Sequence, residues 1–266
     1  ILGIDFLQAA DCGYSPDLSH SIADRAMAHA DNAYFLDHLR ITSKRCFTHK
    51  ASNTAFRGFG GPQGMVGIEE VIEQIARHLG KDPLAVRKIN FYGIDVRNVT
   101  PYGMTVEDNV LDDLVGELEQ RVDYAARRRA IAQFNASHAY LKKGIALTPV
   151  KFGISFTAKH LNQGGALVLV YLDGSVQLNH GGTEMGQGLH IKVAQVVAEV
   201  FGIDLDRIQI TPTTTGKVPN TSSTAASAGT DLNGAAAYNA AMKIVNRLIP
   251  LVRDHFKVAT ETAIVF

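Results

Sequence analysis

Apolar residues fall on a helical period most clearly between Met65 and Leu79, where Met65, Ile68, Val71, Ile72, Ile75 and Leu79 line one face. Gly80 follows at once and suits the left-handed position beyond a helix end. Asp82-Pro83 then offers a capping oxygen ahead of a residue tolerated in a first helical turn, which predicts a second helix to about Phe91. Ser15-Pro16-Asp17 is a comparable start, here for a helix from Leu18 to roughly Tyr34. Leu39 to Phe47 reads as a strand with basic residues interleaved, and two more helices fit 110–120 and 122–135.

The pattern changes beyond a polar, unpatterned stretch from Asn135 to Lys143, which sets the boundary between a first subdomain over 1–136 and a second over 137–266. Gly144 to Phe156 reads as one or two short strands. Ala166 to Tyr171 and Ser175 to His180 flank Asp173-Gly174, a hairpin signal. Gly186 to Phe201 is a helix with Val193, Val196, Val197 and Val200 on its buried side. Arg207 to Thr211 is a strand, and Asn233 to Leu251 is an Ala-rich helix. This ββαβα order predicts helices packed on a mixed sheet and an α+β fold class (mixed α/β) with two subdomains.

Composition narrows the function classes. The 266 residues carry 26 basic and 26 acidic side chains, and this neutrality argues against nucleic-acid binding. Cys12 and Cys46 lie far apart with no metal-ligand spacing, which leaves one disulfide or two reduced thiols of a cytoplasmic protein. No apolar run approaches the ~20 residues of a membrane span. Both ends of the sequence are apolar, Ile1-Leu2-Gly3-Ile4 and Ala263 to Phe266, so the chain is expected to be an interior piece of a longer polypeptide.

Three loops could hold an anion: Arg57-Gly58-Phe59-Gly60-Gly61 before Pro62, the run from Gly181 to Gly188, and the stretch from Pro219 through Ser227 to Gly229. Glycine lets backbone approach a ligand, and the first amides of a helix point outward without internal partners. Each loop alone is most simply a tight turn. None is followed by the Lys-Ser/Thr of a phosphate-binding loop, and none has dinucleotide-binding spacing. Three in one chain point to a multiply anionic ligand gripped from several sides. His29, His180 and His190 have no carboxylate or thiol at ligand spacing, so metal ligation by protein side chains is not expected. Arg127-Arg128-Arg129 reads as a solvated helix face and Glu69-Glu70 as a helix-start charge pair. Glu184, within its glycine-rich loop, reads as a structural hydrogen-bonding residue rather than an acid–base catalyst.

The stretches Asn53 to Gln63, Lys151 to Thr157, His180 to His190 and Pro219 to Gly234 together resemble the molybdenum-binding portion of the molybdenum hydroxylase family, its xanthine dehydrogenase branch in particular, in the same order and over nearly the whole chain. The resemblance implies a molybdopterin cofactor whose metal is held through the pterin dithiolene, with no protein ligand. Gly186 and Gln187 would contact the pterin and dithiolene region, Ser227 the phosphate side, and backbone at Arg57 and Gly58 would approach the metal's ligands. Gly229 stands where many relatives have Ser, so one hydroxyl contact is missing there. Phe59 and Phe156 would sandwich a flat purine, with Thr157, Ala225 and Ala226 lining the same pocket. Arg25 would contact a purine oxygen and stabilise charge developing on it, as catalytic and substrate-binding residue. The implied reaction is hydroxylation of xanthine or hypoxanthine at a ring carbon with a water-derived oxygen, the alternatives being aldehydes or another heteroaromatic, or a non-catalytic cofactor-binding fragment. FAD and 2Fe-2S clusters would sit in other domains or subunits, and the complete enzyme would be a dimer. The family's substrate-binding Glu and general-base Glu have no counterpart in these 266 residues, so the segment by itself is expected to be inactive.

Overall fold

The structure, a computed structural model, describes residues 1–216 and 221–257. Internal contacts divide the chain into two compact units, Ile1–Gly153 and Ile154–Phe266.

The first unit opens with strand β1 (Gly3–Gly13), helix α1 (Ser19–Ala28) and strand β2 (His38–Phe47). β1 and β2 pair in parallel from Gly3 opposite His38 onward. A parallel pair needs a crossover, and α1 supplies it. β1 was not expected from the sequence. The chain does not stay helical to Tyr34 either. α1 ends at Ala28, and 29–34 continue in overlapping turns with Asn32 at φ +45°.

Helices α2 (Gly61–Leu79), α3 (Pro83–Asn90), α4 (Leu111–Arg121) and α5 (Tyr124–Ser137) follow as the periodicity predicts. Gly80 closes α2 in the left-handed conformation, and the Asp82 carboxylate accepts the Leu84 amide at the start of α3. The core of this unit gathers Tyr34, Ile68, Ile72, Leu84 and Phe91, with Val115 of α4 and Tyr124 of α5 against them. Burying Ile68 and Ile72 completely stabilises by about 1.5–3 kcal/mol for each side chain.

The first unit, as internal contacts define it, runs past the expected boundary at 136 to Gly153. Residues 144–153 form no strand, contrary to expectation. Ile145 and Leu147 pack on the first core. The Asn32 amide donates to Pro149 O at 3.0 Å, and Lys151 pairs with buried Asp31 at 2.5 Å. The segment's polar groups are met by side chains of the first unit, not by a neighbouring strand.

The second unit has the predicted order. Strands β3 (Ala166–Val170) and β4 (Val176–His180) form an antiparallel hairpin around Gly174 at φ +79°. Helix α6 (Leu189–Phe201) leads to β5 (Ile208–Ile210), which pairs in parallel with β4, so the sheet order is β3-β4-β5. Helix α7 (Gly229–Phe256) packs with α6 over this sheet. Ala237 and Ala241 are fully buried, and their small side chains let the two helices approach. Among the described residues no helix is long and apolar enough to cross a membrane, and both cysteines are free thiols.

Candidate functional site

In the first unit, the loop ahead of α2 holds three successive residues at positive φ: Gly58 (+93°), Phe59 (+47°) and Gly60 (+98°). The glycine is required at position 60. A Cβ there would lie 2.1 Å from Ile22 O of α1, and one at Gly64 would lie 2.1 Å from Ala26 O. The loop and the first turn of α2 are thus pressed against α1, close to Arg25. Phe59 is buried at 3% exposure, whereas Arg57 is exposed and Gly58 half-buried.

Arg25 is no solvated helix residue. It is 2% exposed, its guanidinium donates to Gly153 O, and its Cζ lies 4.7 Å from the centre of the Phe152 ring. Burial lowers its pKa from the ordinary Arg value. His29, one turn further along, places its ring 5.2 Å from Phe152, and its Nε2 accepts the Gly153 amide at 2.9 Å. Its Nδ1 lies 2.8 Å from Arg25 O. Phe152 also rests on Gly61, where a Cβ would come within 2.5 Å of the ring. A second set of buried polar groups supports the same segment. Tyr92 donates to Asp31, the Asn32 amide donates to Glu69, and Lys151 N donates to Asn32 Oδ1 at 3.2 Å. Glu69 is therefore more than half of a helix-start charge pair, since it also forms an ion pair of 2.9 Å with Arg87, whose side chain is 2% exposed.

In the second unit, the 181–188 loop carries its own anion. Glu184 Oε1 accepts the amides of Gly186 (2.8 Å) and Gly188 (3.0 Å), and Oε2 accepts that of His190 (3.0 Å). These bonds, that from His190 first, hold the carboxyl below the usual carboxylate range. The structural role expected of Glu184 is the one it has, and these three amides are taken. The Gln187 side chain accepts from Met185 N at 2.5 Å and donates to Thr183 O at 2.8 Å. Gly186, at φ +90°, has nothing within 4 Å of where a Cβ would stand, so its backbone is approachable.

The third loop meets the second. Thr183 N donates to Thr224 Oγ1 at 2.8 Å. Ser155 N donates to Ala226 O at 2.9 Å, and Phe156 exchanges hydrogen bonds with the Asn162 side chain at 2.8 and 2.9 Å. Phe156 (3% exposed) and Ala226 (2%) are buried, Ala225 is half-buried, and Thr157 and Ser227 are exposed. Pro219 and Asn220 of this loop lie outside the described residues. Ala226 and Ser227 stand at φ +55° and +57° immediately before α7. Two successive side-chain-bearing residues in that region cost about 1–3 kcal/mol each, and such strain collects at binding sites. The N-cap of α7 is Ala228, which has no side-chain oxygen to offer the first-turn amides.

In the first unit the structure places Arg57, Gly58 and Phe59 in the loop that runs into Gly60, the residue pressed on α1 near Arg25, and in the second it sets Gly186, Gln187, Phe156, Thr157, Ala225, Ala226 and Ser227 around two joined loops. Sequence reasoning gave no role to His29, Phe152 or Lys151; the i, i+4 spacing of Arg25 and His29 was the available signal. No group of three or more His, Cys, Asp or Glu side chains among the described residues could hold a metal ion. With the Gly186 amide committed to Glu184, the second unit still offers groups that fit a pterin-borne anion: the Gln187 primary amide, and a helix start without a side-chain cap beside the exposed Ser227 hydroxyl.

Residues 1–91 and 117–265 match two family profiles, each described as a molybdopterin cofactor-binding domain. The chain is 47% identical over 262 residues to xanthine dehydrogenase 1 of Arabidopsis thaliana, covering 98% of this chain and 19% of that protein. It is 47% identical over 245 residues to the xanthine dehydrogenase/oxidase of Gallus gallus, covering 92% of this chain and 18% of that one. The chain thus spans about a fifth of the length of these curated relatives. Among solved structures it is similar to quinoline 2-oxidoreductase from Pseudomonas putida, with TM-score 0.81 and 22% identity over 97% of this chain and 34% of that one. It is also similar to the aldehyde oxidoreductase from Desulfovibrio desulfuricans, with TM-score 0.76 and 22% identity over 92% of this chain and 26% of that one.

Proposed function

The chain belongs to the molybdopterin cofactor-binding domain family, and on that premise we propose that it forms part of the molybdenum-cofactor portion of a xanthine dehydrogenase-like enzyme that hydroxylates xanthine or hypoxanthine at a ring carbon with a water-derived oxygen. The bound cofactor supplies the oxygen-transfer and two-electron chemistry. The chain's own residues bind and orient. Gly186 and Gln187 dock the pterin side. Ser227 and the start of α7 hold the phosphate, where an uncapped helix end favours negative charge. Backbone at Arg57 and Gly58 would help hold the metal-bearing end of the cofactor. In the first unit Phe59 would offer an aromatic face to a planar heterocycle, and in the second Phe156 would do so, with Thr157, Ala225 and Ala226 beside it. The complete enzyme is a cytoplasmic dimer whose other segments carry FAD and 2Fe-2S clusters.

Arg25 is the observation that carries the purine reading. A guanidinium 2% exposed, backed by the Phe152 ring, is a fixed cation. Negative charge developing on a purine oxygen beside it is stabilised more than the ground state, which is the condition for lowering a barrier. Aldehyde substrates have no such oxygen. In the full-length enzyme, Arg25→Met is expected to lower kcat/KM for xanthine roughly a hundredfold, ~3 kcal/mol of transition-state stabilisation, while sparing an aldehyde substrate. Equal losses on both substrates give Arg25 a folding role and sink the purine reading.

A further inference from the structure

We propose that His29 is a positioning residue for purine selectivity, acting through the Phe152-Gly153 segment to fix the Arg25 guanidinium; this rests on the purine reading above. The geometry is a closed circuit. Arg25 donates to Gly153 O, Gly153 N donates to His29 Nε2 at 2.9 Å, and His29 Nδ1 lies 2.8 Å from Arg25 O. The partners dictate the tautomer. An amide N–H can only donate, so Nε2 is the bare acceptor and the ring proton sits on Nδ1, where it donates to the Arg25 carbonyl. That carbonyl is among the last of α1, which have no partner within the helix. One neutral imidazole thus ties the end of α1 to Gly153, the residue whose carbonyl holds the guanidinium.

The same ring confines Phe152. It approaches the phenyl at 5.2 Å and 52°, the Arg25 guanidinium lies over that phenyl, and Gly61 leaves it room. Phe152 is 37% exposed, so neither burial nor a strand holds 152–153 in place. On the other side, the segment is anchored at Lys151 by Asp31 and by Asn32 Oδ1. Removing the His29 acceptor leaves the Phe152–Gly153 amide unanchored, and the next peptide, whose carbonyl accepts from Arg25, is joined to it only through the glycine Cα and loses its fixed position. Burial first, with the Arg25 and Lys151 charges, favours the neutral ring against the opposing pull of the Arg25 carbonyl and of Asp31. Misplacing an orienting group by about 1 Å can cost on the order of a hundredfold in rate, so an indirect effect of tenfold or more is in range.

The test uses the full-length enzyme and the ratio of kcat/KM for xanthine to that for an aldehyde, which is independent of the active fraction. His29→Leu is expected to lower this ratio tenfold or more, and His29→Gln, whose longer amide can offer Gly153 an oxygen, to recover most of it. In the double variant with Arg25→Met the ratio should fall no further than in Arg25→Met alone, because His29 acts through Arg25. If His29→Leu leaves no folded enzyme, His29→Asn makes the comparison, since its short amide keeps Arg25 O but cannot span to Gly153. An unchanged ratio in His29→Leu or His29→Asn, or independent losses in the double variant, overturns the proposal. An unchanged ratio in Arg25→Met overturns the purine reading itself, and the two failures are thereby told apart.

Discussion

His180 stands at the end of β4, 2% exposed, where its Nδ1 accepts the Gly182 amide at 3.1 Å. The ring proton is therefore on Nε2, which has no hydrogen-bond partner among the described residues. Burial, and then His190 at 5.2 Å between ring centres, lower its pKa from 6.5 to about 4. Above pH 6.5 the ring is neutral in folded and unfolded chains alike, and its contribution to stability is fully present. As the pH falls from 6.5 toward 4, the unfolded chain gains a proton that the folded one refuses. Each pH unit in that window then costs ~1.4 kcal/mol, or ~3 kcal/mol across the whole of it. That is a large part of the ~5–15 kcal/mol of an ordinary domain. His180→Gln, neutral at every pH, lacks this loss. Urea unfolding followed by far-ultraviolet circular dichroism at pH 7.5, 6.5, 5.5 and 4.5 measures the difference between the two chains. His29 and every carboxylate titrate in both and cancel. The wild-type chain should lose ~2–3 kcal/mol relative to His180→Gln between pH 6.5 and 4.5. A difference that stays constant with pH refutes the argument that the buried ring resists protonation.

Gly60→Ala places a methyl against Ile22 O at 2.1 Å, at a φ of +98° that alanine rarely adopts, and should destabilise by ~2 kcal/mol or more, a fall of several degrees in melting temperature. Arg87→Met strips Glu69 and Glu73 of the buried cation that holds both at 2.9 Å and should cost on the order of 3 kcal/mol in urea unfolding, part of it recovered by adding Glu69→Gln.

Helix periodicity made most of the fold legible. α2 and α3 announce themselves by an apolar face and by Gly80 and Asp82 at their ends, and the β3–β4 hairpin by Asp173-Gly174. These signals are local, and local signals survive in one sequence. β1 was missed because Gln8-Ala9-Ala10-Asp11 has little strand character, and its partner β2 lies far along the chain. Residues 144–156 look strand-like, but side chains at the end of α1 and in the turns after it hold 149–153, and Ala226 and Asn162 hold 155–156. The two joined loops of the second unit were legible as glycine-rich turns before helices. Glu184 was rightly read as structural, although the three amides it accepts were not foreseeable from composition. Arg25 on sequence alone is an unremarkable helix residue; its burial depends on Phe152 and Gly153, more than a hundred positions away.

The carboxylate of Glu184 has a consequence for the order of assembly. Because the chain's own anion already satisfies the amides of Gly186, Gly188 and His190, the turn before α6 reaches its shape with no ligand to organise it. If the pterin docks at Gly186 and Gln187 as proposed, it would meet a surface already built, and little of its binding energy would be spent on ordering that loop. Cofactor insertion is then expected to follow folding of this turn instead of driving it, and protein made in cells starved of the pterin should keep the turn intact, as amide hydrogen exchange at Gly186, Gly188 and His190 would report.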